Sequence, residues 1–194
     1  MYVMISFSVI TCTYNAAAEL PRTLKSVAEQ TYPHVEHLLI DGLSADATPA
    51  LIQQYVAEMA QTESLHTIKV TSERDAGLYD AMNKGIAMAT GTYLVFINAG
   101  DVFPSPSTLE TVACAVGEAE TLPAVLYGDT DIVDARGVSC AIVALFRVKV
   151  SRGGRLVVAC WCAIRLFMPS PRWPNKRLTT FIIVSRPMWI GASV

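Results

Sequence analysis

Six carboxylates stand at the ends of four short strand-forming runs. Asp41 closes "VEHLLID", Glu73 and Asp75 follow "HTIKVTS", Asp101 follows "TYLVFIN", and Asp129 and Asp131 lie in "AVLYGDTDI". An acid at the tip of a buried strand is unfavourable unless it is partnered. Acids gathered on one rim also repel phosphate unless a divalent cation lies between them. Hard Mg²⁺ or Mn²⁺, held by a carboxylate and by the oxygens of a substrate phosphate, meets both conditions. Asp101 poses the question most sharply. In "FINAGDVF" it is a lone acid between apolar flanks, and Gly100 before it suggests close approach of a ligand.

Plainer readings stand beside these. Ser44 and Asp46, after Asp41 and Gly42, are read as a turn and a helix cap. Asp41 itself is read as a ligand-binding residue, because the first strand-end acid of an α/β sheet commonly contacts ribose or base. For Asp75, a cap on the following helix and a ligand contact both stay open. Asp80 and Asn83 lie within a helical stretch, where solvating an exposed face is the plain alternative. His34, His37 and His66 have no metal-ligand spacing and are read as surface or edge residues.

The elements that must carry these residues alternate. Strands are expected at Ser6–Thr13, "VEHLLID", "HTIKVTS", "TYLVFIN" and "AVLYGDTDI". Between them lie four helical stretches: "ELPRTLKSVAEQ", "TPALIQQYVAEMAQ", "GLYDAMNKGIAMA" and "SPSTLETVACAV". Such alternation predicts an α/β fold, a mostly parallel sheet with helices on both faces. Ligands of these sheets bind outside the carboxyl ends of the strands. Strand one ends there in Thr13, Tyr14 and Asn15.

Composition sets outer bounds. A chain of 194 residues makes one domain, or one domain with an appendage. The net charge of -2 argues against a nucleic-acid partner, but it hides an asymmetry. Residues 1–137 hold all 17 acids and six Lys or Arg, whereas 138–194 hold nine Lys or Arg and no acid. About seven acids are expected in such a stretch at ordinary composition. The five cysteines have no zinc or redox spacing, which suits reduced thiols in a cytoplasmic protein. The apolar N-terminus lacks a basic n-region, so a signal peptide is not expected. No apolar run reaches the roughly 18 residues that span a bilayer.

"SVITCTYN", "LLIDGLSADAT" and "ERDAGLYDAMNKGIAMATGTYLVFINAGD" resemble, in this order, the family 2 inverting glycosyltransferases. The resemblance covers about residues 5–135. It implies the GT-A fold, a Rossmann-like nucleotide-binding half, and a nucleotide-sugar donor with Mg²⁺ or Mn²⁺. It further implies a glycan or lipid-linked acceptor in cell-surface polysaccharide or glycolipid synthesis. By resemblance, Asp41 is the acid that contacts the base and Asp75 the acid near the nucleotide. Asp101 matches the last acid of the metal-binding D-x-D signature, whose earlier acids are replaced here by Asn98 and Gly100. Thr13, Tyr14, Asn83 and Asn98 complete the implied nucleotide-binding set.

The tail departs from the family. An inverting enzyme needs a general base for the acceptor hydroxyl, and the resemblance places it as an Asp in the second half, where this chain has no acid. With suitable synonymous codons, the bases encoding "CWCAIRLFM" (Cys160–Met168) read "MLVCHQAFY" one nucleotide earlier. The bases for "FIIVSRPMWIGAS" likewise read "LHYRFSADVDWCI". A shifted frame beginning between about Asp134 and Phe146 is therefore expected, with residues 138–194 an irregular, poorly packed tail. The alternative is a real basic appendage for peripheral membrane association at the inner face of the membrane. Two function classes follow: a glycosyltransferase whose present chain lacks its base, and a non-catalytic remnant that binds nucleotide sugar. A nucleotidyltransferase-like domain is a third, weakened by the lack of a Gly-rich phosphate loop after strand one.

Overall fold

The computed structural model describes residues 4–117, and beyond them 122–123, 125–127, 130–133, 139–143, 177–179 and 182–185. Four strands and four helices alternate through the first stretch. They are β1 (Phe7–Thr13), α1 (Leu20–Ala28), β2 (Val35–Asp41), α2 (Thr48–Ala60), β3 (Thr67–Ser72), α3 (Leu78–Met88), β4 (Tyr93–Phe96) and α4 (Thr108–Gly117). β5 (Val125–Tyr127), β6 (Thr130–Val133), β7 (Ser139–Val143), β8 (Arg177–Thr179) and β9 (Ile182–Ser185) follow. The chain divides into two units, Met1–Leu126 with Ile183–Val194, and Tyr127–Ile182.

In the first unit β1 is the central strand. It pairs in parallel with β2, from Phe7↔Val35 to Thr13↔Asp41, and with β4, from Phe7↔Tyr93 to Ile10↔Phe96. β2 pairs in parallel with β3 up to Asp41↔Ser72. The strand order β3-β2-β1-β4-β9-β5 reverses direction of growth beside β1, the place where such sheets bind ligands. β9 lies antiparallel to β4. In the second unit the order is β7-β6-β8.

Every residue of β1 and β2 is buried, as expected for strands covered on both faces. The period of two sorts their side chains. Leu39 joins Leu20, Leu24, Ile52 and Tyr55 in a core under α1 and α2. Ile10 faces α3, where Gly85 lets the helix approach closely: a Cβ there would lie 2.5 Å from Ile10 Cγ2.

Two expectations change. "AVLYGDTDI" is not one strand, because β5 and β6 belong to different sheets, separated in sequence by the breaker pair Gly128-Asp129. His37 is not a surface residue. It is fully buried and sandwiched between Thr11 Oγ1 and Tyr55 Oη, each 3.0 Å from a ring nitrogen. Burial drives its pKa down to about 3, so it sits in the core as neutral imidazole. The basic stretch 138–194 contributes β7, β8 and β9; the rest of what was expected of it lies outside the described residues.

Candidate functional site

A cleft of about 350 Å³ opens at the carboxyl ends of β1, β2 and β3. Cys12, Thr13 and Tyr14 line it from the end of β1, and Gly42 from the end of β2. Arg74, Asp75 and Gly77 come from the loop before α3, and Leu78 and Ala81 from that helix. Thr13 is 5% exposed, and its hydroxyl has no hydrogen-bond partner among the described residues. A buried hydroxyl left over at a cleft wall is the kind of group a ligand satisfies. Tyr14, by contrast, exposes two thirds of its surface at the mouth.

Backbone loops brace this cleft through a clasp. The Asn15 amide donates to Ser44 Oγ at 2.8 Å, and the Ala45 amide donates back to Asn15 Oδ1 at 2.8 Å. Ala16 N and Ala17 N donate to Thr48 Oγ1 and Asp46 Oδ2. Asn15 and Leu43 take positive φ, 46° and 61°, conformations that these cross-loop bonds hold in place. Asp46 also accepts from Thr48 N at 2.9 Å, closing a turn just before α2; the N-cap position itself is Ala47, with no side-chain cap bond. Ser44 does more than make a turn, since it ties the β2 loop to the β1 loop.

Asp41 sits beneath the clasp and not on the cleft wall. It is 1% exposed, and its carboxylate accepts from Ser44 N (3.2 Å), Ser44 Oγ and Ser72 Oγ (2.7 Å). Asp75 is the carboxylate on the wall. Its Oδ1 accepts from Gly77 N at 3.0 Å, closing a turn just before α3 and not capping the helix itself. Gly77 has φ 120°, a conformation that favours glycine. The turn is pinned from the helix. Asp80 accepts from Ala76 N, and Lys84 reaches Arg74 O (2.7 Å), Glu73 (3.2 Å) and Asp80 (3.6 Å). For Lys84, desolvation pulls the pKa down, but Glu73 and Asp80 outweigh it and raise the net value.

Asp101 occupies the same rim, beyond β4. It is buried, and its backbone closes a turn to Asn98 O at 2.9 Å. Thr23 of α1 staples that turn: its hydroxyl donates to Asp101 O (2.8 Å) and accepts from Gly100 N (2.8 Å). Gly100 has φ 99°. Parallel pairing puts Asp41 and the Asn98–Asp101 turn on one edge of the sheet, with β1 between their strands. Asn83 lies exposed on α3 and is not among the cleft residues. Asp131 is in β6, a strand of the three-stranded sheet. Asp129 lies outside the described residues. No group of three or more His, Cys, Asp or Glu forms a metal cluster among the described residues.

Sequence reasoning did not name Gly42, Arg74 or Leu78 as cleft residues. For Gly42 and Arg74 the signal was position: each directly adjoins an acid that was named.

The glycosyl transferase family 2 profile matches residues 8–158 of this chain. The chain belongs to that family. A PGL/p-HBAD biosynthesis glycosyltransferase of Mycobacterium tuberculosis is 40% identical over 123 residues, 63% of this chain and 46% of that protein. TuaG of Bacillus subtilis, named for teichuronic acid biosynthesis, is 35% identical over 48% of this chain and 35% of its own length. The chain therefore spans about half, or less, of these relatives. A similar fold is seen in the mannosyltransferase PcManGT from Pyrobaculum calidifontis, solved with GDP-Man and Mn²⁺. That structure aligns at TM-score 0.53 and 25% identity, over 68% of this chain and 35% of that one. S. aureus TarS 1–349 with UDP-GlcNAc aligns at TM-score 0.51 and 22% identity, over 66% and 33%, and shares the fold. Among the described residues no helix is long and apolar enough to cross a membrane.

Proposed function

We propose that residues 1–137 form the nucleotide-sugar-binding domain of a cytoplasmic glycosyltransferase. Its reaction passes a sugar from a nucleotide-sugar donor to a glycan or lipid-linked acceptor in cell-surface polysaccharide or glycolipid synthesis. The observation that carries this reading is the cleft at the strand ends, where the Thr13 hydroxyl, the Tyr14 ring and the Asp75 carboxylate converge in a family 2 fold. An aromatic face, a buried hydroxyl and an acceptor-only carboxylate suit a nucleoside, with its flat base and its N–H and O–H donors.

At the end of β4, the Asp101 carboxylate and the Asn98 amide oxygen are hard oxygen donors. This set fits Mg²⁺ or Mn²⁺ with most of the shell left to diphosphate and water. When bound, the cation offsets the negative charge that develops on the departing nucleoside diphosphate. The binding of GDP-Man and Mn²⁺ by PcManGT supports the pairing of donor and metal.

Transfer needs a general base, and residues 138–194 contain no acid. This chain accordingly binds donor without transferring it, and the tail is read as out of frame. Detected turnover of a sugar nucleotide by the 194-residue chain overturns that part. Calorimetry with UDP and GDP, with and without Mn²⁺, tests the domain reading. Asp101→Asn is expected to weaken Mn²⁺-dependent binding by about tenfold or more, because it removes the one anionic protein ligand proposed for the cation. Equal affinity in both proteins reduces Asp101 to a structural residue.

A further inference from the structure

The cleft wall holds a side chain whose chemistry the nucleotide reading does not use. Cys12 stands just before Thr13, is a reduced thiol, and lines the cleft. The pleat sets its direction. Ile10 packs against α3 at Gly85, and a residue two positions along a strand returns to the same face of the sheet. Leu78, Ala81 and Gly85 recur at helical spacing, so the side of α3 that meets Ile10 continues towards the first turn as the cleft residues Leu78 and Ala81. Cys12 therefore looks into the space between the end of β1 and the start of α3. It is 5% exposed, so a reagent reaches its sulfur by entering the cleft. A second feature marks this wall as one that takes a ligand: the neighbouring Thr13 hydroxyl is equally buried and has no hydrogen-bond partner among the described residues.

We propose that Cys12 is a covalent modification site for low-molecular-weight disulfides, and that its adduct and a nucleotide exclude one another from the cleft. This rests on the reading of the cleft as a nucleotide site. The chemistry is thiol–disulfide exchange. The Cys12 thiol gives its proton to water, and the thiolate attacks one sulfur of the disulfide. A bond from Cys12 Sγ to that sulfur forms as the reagent's own S–S bond breaks, and the other half departs as a thiolate that takes up a proton. Cys12 is oxidised and the departing half is reduced, so no further oxidant is needed. The group added to Cys12 Sγ has to lie in the cleft, because the cleft is the open side of this residue. There it takes up part of the volume of about 350 Å³ that the nucleotide reading assigns to the donor. Reduction removes it, so the block is reversible.

The experiment uses the reduced 194-residue chain, cystamine as the disulfide, and UDP or GDP with Mn²⁺ as the competitor. Proteolysis and mass spectrometry follow Cys12 and, as an exposed reference, Cys114 on α4. Cys12 is expected to form the adduct in the native protein at a rate that low urea does not raise. A sulfur reached only by unfolding reacts faster as urea is added. Nucleotide at about ten times its Kd should slow Cys12 about tenfold and leave Cys114 unchanged. Calorimetry should show nucleotide binding lost from the modified chain and regained with dithiothreitol. Cys12→Ser should bind nucleotide equally before and after cystamine, which separates this adduct from those at the other cysteines. A urea-dependent rate, a rate that nucleotide does not slow, binding that survives full modification of Cys12, or loss of binding in treated Cys12→Ser overturns the inference and leaves the nucleotide site standing. Failure of the unmodified chain to bind either nucleotide overturns both.

Discussion

The two ends of β2 each bury a carboxylate, and they manage it differently. At the amino end Glu36 has a cation, Lys69, as well as Ser8 Oγ (2.7 Å), Thr90 N (2.8 Å) and Thr90 Oγ1 (3.0 Å). Burial works to raise its pKa, but Lys69, Ser8 and Thr90 outweigh that and hold it below the usual glutamate value. At the carboxyl end Asp41 has only serine donors and no salt-bridge partner among the described residues. The amino-end rim is closed by one network that joins β1, β2, β3 and the turn leading into β4. The carboxyl-end rim keeps its donors near Asp41 and leaves Asp75 and Thr13 facing a cleft.

Truncation sharpens this contrast most. Glu36→Ala strands Ser8 and the Thr90 amide and is expected to cost about 3 kcal/mol of stability. Asp41→Ala strands serine hydroxyls close to solvent and should cost less, about 2 kcal/mol. Urea unfolding of both variants checks the order, and a larger loss at Asp41 breaks the comparison.

Acid probes the middle of the same strand. His37 binds a proton in the unfolded chain near pH 6.5, but in the folded chain only near 3. The unfolded state therefore takes up the proton first. The stability is fully present above 6.5 and is lost as pH falls from 6.5 towards 3. Between pH 7.5 and 5 the loss from His37 is about 2 kcal/mol. His66, also lowered by burial despite its bond to Tyr32 O, adds to it with the same sign. Unfolding measured at both pH values should show the drop, and His37→Gln should flatten most of it.

The smallest effect is expected at Thr23. Replacing it with valine keeps the shape but removes the hydroxyl that staples the Asn98–Asp101 turn, at about 1 kcal/mol. Mn²⁺-dependent nucleotide binding should weaken alongside. A melting shift with no change in binding would detach Thr23 from the rim.

Much of the fold was legible because alternating strand and helix runs leave few topologies once connections are short and right-handed. The strand-end rule then pointed to Tyr14, Asp75 and Asp101 without any contact being known. Solvation was less legible. "VEHLLID" shows a histidine among apolar residues, but Thr11 and Tyr55, which make its burial tolerable, are distant in sequence. The partners of Asp41 were hidden in the same way: Ser72, which donates to it, lies 31 positions on. The closeness at Gly42 was invisible, because it shows only once Asp75 and Tyr14 are folded against its bare α-carbon. "AVLYGDTDI" misled because strand-forming residues stand on both sides of the breaker pair Gly128-Asp129.

Lys69 has a consequence beyond its ion pair. β3 is an edge strand of the six-stranded sheet, and Val70 and Leu65 lie exposed on and beside it. An outer strand presents a row of amides and carbonyls to any passing chain, and natural sheets blunt such edges with lysine. The charge that completes the Glu36 network therefore also guards the border against strand-by-strand self-association. Neutralising Lys69 would tax the protein twice, once in folding free energy and once in the concentration at which it stays in solution.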